Sequence, residues 1–102
     1  MPNKVKNPRR VRARTKVPGG YRAVHRPTRW GNPYSVQKHG RQRAIQLYER
    51  WLDEQLRTDP GFLEPLRGYN LGCCCSPDVP CHADVILRKL YGTRGTLQAE
   101  RL

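Results

Sequence analysis

Leu71-Gly72-Cys73-Cys74-Cys75-Ser76-Pro77-Asp78-Val79-Pro80-Cys81-His82-Ala83-Asp84-Val85-Ile86-Leu87-Arg88-Lys89-Leu90 holds all four cysteines of the chain and one of its three histidines. The pattern reads as the end of a buried strand, a tight turn, and a helix whose first turn carries Cys81 and His82. Pro80 suits that first turn, with Asp78 or a neighbouring loop residue as the cap. Ala83, Ile86, Leu87 and Leu90 make the buried stripe of the helix, while Cys81 and Asp84 share a different face with Val85 and Arg88.

Upstream, Arg41 to Leu56 is the clearest helix, since Ala44, Ile45, Leu47, Tyr48, Trp51, Leu52 and Leu56 fall at helical spacings. Tyr48 and Trp51 read there as packing residues. Thr58-Asp59-Pro60-Gly61 ends the helix, Phe62 to Leu66 is a brief turn or helix limited by Pro65, and a strand follows from about Tyr69 to Cys75. Tyr21 to Arg26 alternates as a strand, so the order is strand, helix, strand, which implies parallel pairing. Ligands in open α/β sheets bind beyond the carboxyl ends of the strands. Those ends are Arg26 to Pro33 and Cys75 to His82, expected side by side as two halves of a cleft.

Arg9 to Arg14 also alternates, and Pro18-Gly19-Gly20 is a turn signal, which together suggest a hairpin from about Arg9 to Arg26. The expected fold is a small single α/β domain with a short mixed sheet, an N-terminal hairpin plus a strand-helix-strand unit, packed on two main helices. Residues 1–8 read as a mobile basic arm, 9–91 as the domain and 92–102 as a polar C-terminal tail.

A chain of 102 residues makes one domain with a modest core. No apolar run approaches the roughly 18 residues that span a bilayer, and the N-terminus lacks the apolar core of a signal peptide. Three of the cysteines are consecutive, and adjacent cysteines bridge only with strain. A reduced, cytoplasmic setting is therefore expected.

Charge is unevenly distributed. Residues 1–48 carry 13 of the 20 Lys and Arg and none of the 8 acids, Glu49 being the first. A net charge of +12 arranged in this way points to a polyanion, foremost nucleic acid or a nucleotide. The alternative is a merely solubilising charge. Arg26-Pro27-Thr28-Arg29-Trp30-Gly31-Asn32-Pro33-Tyr34 adds cations and flat rings of the kind that grip phosphates and stack bases. Pro27 and Pro33 stiffen this loop, and Gly31 with Asn32 suits a turn needing unusual backbone angles. Against base stacking, Trp30 and Tyr34 also read as core residues that anchor the turn.

Three readings compete for the cysteines. Cys73, Cys75, Cys81 and His82 form a Cys3His set that zinc would accept. However, residues i and i+2 of a strand stand about 6.6 Å apart, whereas sulfurs on one tetrahedral zinc come within about 4 Å. The strand would have to bend at Cys74 or Cys75. The second reading is nucleophilic catalysis by Cys81, whose thiol pKa falls at a helix N-terminus, assisted by His82, Asp84 or a loop arginine. Adjacent residues on a helix diverge by about 100°, which argues against His82 as the base for Cys81. The third is simple packing of small, soft side chains at a crowded strand end. The patterns of zinc deaminases, P-loops and serine triads are absent.

The Arg26–Tyr34 stretch, the helix with Tyr48 and Trp51-Leu52, Leu71-x-Cys73-x-Cys75 and Pro80-Cys81-His82-Ala83-Asp84-Val85 together resemble the small phage and bacterial proteins of domain of unknown function 4326. The resemblance runs from about Arg9 to Leu90. It departs at Cys74, where that family commonly has Trp, and at His25, where glycine is common. It implies a compact α/β domain of phage or prophage origin, in the cytoplasm of a bacterial host. No activity carries over.

The expected function is binding of nucleic acid or a nucleotide, with Arg10, Arg12, Arg14, Arg22, Arg26, Arg29, Trp30 and Asn32 as the contacting residues. One alternative is a cysteine-dependent enzyme acting on a nucleotide or nucleoside through Cys81, His82 and Asp84. Another is an interaction protein for a host factor.

Overall fold

The computed structural model describes residues 2–75 and 79–92. Three short strands, β1 (Arg10–Arg12), β2 (Arg22–Ala23) and β3 (Leu71–Cys73), combine with three helices, α1 (Val36–His39), α2 (Arg41–Thr58) and α3 (His82–Tyr91). A single 3-10 turn, Glu64–Leu66, precedes β3. The sheet order is β1-β3-β2, and both pairings are parallel.

The expected hairpin and mixed sheet are thus overturned. Alternation identifies a two-faced strand but not its partner. Leu71-Gly72-Cys73 is buried throughout and offers two edges, and each basic strand takes one, Arg10 and Arg22 both standing opposite Leu71. Gly19 and Gly20, with φ of 83° and 65°, do turn the chain. They bring it to the far edge of β3 rather than back along β1. Asn70 fastens both sides, its Oδ1 accepting from the Arg9 N–H at 3.1 Å and its Nδ2 donating to the Gly20 carbonyl at 3.0 Å.

The α2 helix buries Ala44, Tyr48 and Leu52, spaced i, i+4, i+8 on one stripe. Burying side chains the size of Tyr48 and Leu52 stabilises the fold by about 1.5–3 kcal/mol each. They pack with Val24, Leu66, Leu71, Cys73 and Ile86 in one core. Gly72 lies under the ring of Tyr21, where a Cβ would collide with the ring carbons. Only glycine admits that roof.

Two helical details differ from the sequence pattern. Ser35 caps α1, which the pattern did not reveal, by accepting from the Lys38 N–H at 3.2 Å. In α3 Val85 is fully buried and Leu87 only half-buried, so the buried face is rotated toward His82, Ala83, Val85, Ile86 and Leu90.

Residues 2–8, read from the sequence as an arm, touch the domain at two points: Asn3 N–H donates to Gly19 O and Val5 N–H to Gly68 O, both at 2.8 Å. Met1, the Asp78 cap and the tail from residue 93 lie outside the described residues. No helix among the described residues is long and apolar enough to cross a membrane.

Candidate functional site: a thiol-imidazole centre beside a basic strand end

The β3 strand stops at Cys73, and the chain bends at Cys74 and Cys75. That bend removes the strand-spacing objection. The sulfurs of Cys73, Cys75 and Cys81 all lie within 4.8 Å of one another and could hold a metal ion. Cys73 and Cys81 are buried, Cys75 is half-buried, and Cys74 points to solvent.

Cys81 is the N-cap of α3 rather than a member of its first turn. Its backbone is extended, at φ −145° and ψ 156°, so the helical divergence from His82 does not apply. His82 Nδ1 lies 3.6 Å from Cys81 Sγ. Its other nitrogen, Nε2, is 2.8 Å from the carbonyl oxygen of Val24. A carbonyl can only accept, so Nε2 carries a proton, and in the neutral ring the Nδ1 lone pair faces the sulfur.

The Ala83 N–H donates to Cys81 Sγ at 3.5 Å, and the Asp84 carboxylate accepts from the Cys81 N–H at 3.0 Å. This reciprocal cap fixes where the helix begins. Asp84 also lies 3.3 Å from Arg10 Nη1. Its carboxylate therefore faces the cap and a strand guanidinium, not the imidazole.

Of the three clustered thiols, Cys81 is the one shifted toward the thiolate. The hydrogen bond from Cys73 lowers its pKa well below the usual thiol range despite burial, and the Ala83 N–H lowers it further. The Cys73 thiol is pushed up by that same hydrogen bond and by burial. Cys75 is also raised, by burial and by its bond to Cys81, against the pull of Arg41. Arg41, the first residue of α2, reaches Cys75 Sγ at 3.6 Å and the Pro80 carbonyl at 3.1 Å. Pattern reasoning missed it, because the contact spans 34 residues and an isolated arginine carries no signature.

The eight arginine, tryptophan and asparagine candidates fall into groups. Arg10 is drawn into the fold, donating to the Val79 carbonyl at 2.9 Å and hydrogen-bonding Cys81 as well as pairing with Asp84. Arg22 stacks over Tyr69 at 4.2 Å, and Arg29 lies between the Trp30 and Phe62 rings at 5.2 and 4.9 Å. Trp30 is half-buried, donating from Nε1 to the Phe62 carbonyl at 2.9 Å and accepting at its own carbonyl from Tyr48 Oη at 2.7 Å. Asn32 is buried and bridges the Ala44 carbonyl at 3.2 Å and the Tyr34 N–H at 2.8 Å. Trp30 and Asn32 therefore anchor the loop to α2. Gly31 is not in the left-handed region. It is required for space, because a Cβ there would meet the Arg26 backbone at 2.8–2.9 Å.

Arg12, Arg14 and Arg26 are exposed. The first two border a cavity of about 370 Å³ lined by Arg12, Ala13, Arg14, Tyr21, His25 and Cys74. Since all three strands are parallel, this cavity sits just past the carboxyl ends of all three. His25 and Tyr21 were not singled out from the sequence. Arg14 has φ 71°, and its N–H donates to Tyr21 Oη at 2.8 Å. Strained backbone of this kind persists where the surroundings hold it in place. A larger cavity of about 570 Å³ lies between Lys6–Pro8 and α3, lined by Asp84, Leu87, Arg88 and Tyr91 and by none of the cysteines.

These features define a class: a small α/β domain with an all-parallel three-stranded sheet, a basic rim at the strand ends and a thiol cluster behind it. The chain belongs to the family described as a domain of unknown function, DUF4326, whose model matches residues 7–92. One relative is the "uncharacterized 12.4 kDa protein in nrdA-td intergenic region" of Enterobacteria phage T4, 39% identical over 66 residues. The match covers 62% of this chain and 60% of that protein, so the chain spans about three fifths of the relative's length. No solved structure matches.

Proposed function

We propose that the protein binds nucleic acid or a nucleotide through phosphate contacts, with Arg12, Arg14 and His25 at the strand ends as the centre of the site and Arg26 on the adjoining loop. One observation carries this: the acids are spent elsewhere. Glu49, Asp53, Glu54 and Glu64 pair with Arg57, Arg67, Arg88 and Lys89, all in the C-terminal half. Among the described residues the N-terminal half has a single ion-paired cation, Arg10. Most of its other cations, Arg12, Arg14 and Arg26 among them, are exposed and Arg22 and Arg41 are half-buried, an arrangement that favours a polyanion. In this reading the thiol cluster holds zinc, which fastens β3 to α3 behind the basic surface.

The test is a salt titration of oligonucleotide binding. Neutralising about six phosphates makes log affinity fall with log salt at a slope of about −5. A slope near zero contradicts phosphate binding.

A second reading, a cysteine-dependent enzyme acting on a nucleotide, is favoured by the lowered thiol pKa of Cys81 beside His82. It is the weaker one. Cys81 is 1% exposed, too buried for a substrate to reach. Iodoacetamide reactivity far above that of a free cysteine near neutral pH would restore it.

A further inference from the structure

We propose that the metal centre is a closed Cys3His site: Cys73, Cys75 and Cys81 bind as thiolates, and His82 Nδ1 completes the tetrahedron. The inference rests on the zinc reading above but not on nucleic-acid binding. Two independent geometries support it. Three sulfurs from two chain segments meet within 4.8 Å. A nucleophile would need only one of them. Zinc-sulfur bonds of about 2.3 Å put tetrahedral sulfurs about 3.8 Å apart, so closing the cluster on an ion takes shifts of about 1 Å or less.

The imidazole supplies the second geometry. With Zn–N near 2.0–2.1 Å and Zn–S near 2.3 Å, a nitrogen and a sulfur on one tetrahedral ion stand about 3.6 Å apart. His82 Nδ1 and Cys81 Sγ are 3.6 Å apart in the protein. Metal-binding histidines characteristically donate their other N–H to a carboxylate or backbone carbonyl, which fixes ring and tautomer. Val24 O fills that role at 2.8 Å. His82 Nδ1 still has to approach Cys73 and Cys75, since the mutual 4.8 Å group comprises the three sulfurs alone.

The surroundings suit the charge. Zinc with three thiolates and a neutral imidazole carries a net charge of −1. Arg10 hydrogen-bonds Cys81, Arg41 reaches Cys75 Sγ at 3.6 Å, and the Ala83 N–H points at Cys81 Sγ. A filled tetrahedron leaves no open position for a substrate, so the site is structural. It ties the end of β3 to the start of α3 and, through Val24, to β2.

The experiment uses the full chain purified without a metal-binding tag. Elemental analysis should give one zinc per chain, and X-ray absorption at the zinc edge should give three sulfurs and one nitrogen with the outer-shell scattering of an imidazole. Absence of zinc, even after incubation with zinc under reducing conditions, overturns the zinc reading together with this inference. Zinc bound by three sulfurs with no imidazole scattering overturns the closed site alone and leaves the zinc reading standing. In the cobalt-loaded protein His82→Cys should raise the thiolate charge-transfer band by about one third, from three sulfurs to four. An unchanged band contradicts His82 as the fourth ligand.

Discussion

His82 Nε2 lies 2.8 Å from the carbonyl oxygen of Val24, joining the first residue of α3 to the residue just past β2. Both residues are buried, and the ring of Tyr48 packs edge-on against the imidazole at 5.1 Å. Helix, strand and α2 therefore converge on one side chain. His82→Ala leaves the Val24 carbonyl without a partner in the interior and opens a cavity beside Tyr48. Urea denaturation in the presence of a chelator, which isolates this effect from metal binding, should show a loss of about 2–4 kcal/mol. A loss under about 0.5 kcal/mol would mean that the contact does not hold the fold.

Asp84 serves the cap rather than an imidazole. Asp84→Ala removes the acceptor of the Cys81 N–H and the partner of Arg10, and should cost about 1–2 kcal/mol by chemical denaturation. Elemental analysis of the same variant should still find the metal. Loss of metal with no loss of metal-free stability would place Asp84 in the coordination sphere instead.

Gly31 and Gly61 make a matched pair. A Cβ at Gly31 would stand 2.8–2.9 Å from the Arg26 backbone, whereas at Gly61 the nearest atoms are at 3.8 and 4.0 Å. Gly31→Ala should destabilise by about 1–3 kcal/mol, since the Arg26 backbone must move. Gly61→Ala should change stability by less than about 0.5 kcal/mol. Equal melting temperatures for the two variants would contradict the crowding.

Glu49 joins α2 to α3 by accepting from Arg88 at 2.9 Å and Lys89 at 3.1 Å. Burial pushes its carboxyl pKa up, but the hydrogen bonds and charges of Lys89 and Arg88 outweigh that and hold it below the ordinary value. A depressed carboxyl pKa stabilises the folded state fully above the unfolded value of about 4.3. That contribution is lost as pH falls through the folded value. Because the group is partly exposed, Glu49→Gln should cost less than about 1 kcal/mol at neutral pH. The gap between wild type and variant should close as denaturation is repeated at acid pH. A gap that widened on acidification would reverse the sign.

Much of this architecture was legible in the sequence. The Ala44, Tyr48, Leu52 stripe located α2, and the order strand, helix, strand gave the parallel pairing of β2 with β3. The partner of β1 was not legible, because alternation in Arg10–Arg12 marks a strand without saying which edge it joins. Asn70, which ties β1 and β2 to opposite sides of β3, acts through bonds spanning 50 and 61 residues and left no local trace. The cysteines were visible as a cluster, but their convergence depends on the bend after Cys73 and on Cys81 lying just outside the helix. The same change in backbone direction brings His82 Nδ1 toward Cys81. Arg10 looked like its neighbours Arg12 and Arg14, and only the register of β1 against β3 draws it inward to Asp84 and Val79 while they remain at the rim.

The most direct test of the phosphate site compares wild type with an Arg12→Ala/Arg14→Ala double variant, using fluorescence anisotropy of labelled single- and double-stranded oligonucleotides at fixed low salt. Both side chains are exposed, so the variant should keep the wild-type circular dichroism spectrum. Its affinity should fall about tenfold or more, with a shallower salt dependence. Undiminished affinity in a folded double variant would contradict a phosphate site at the strand ends.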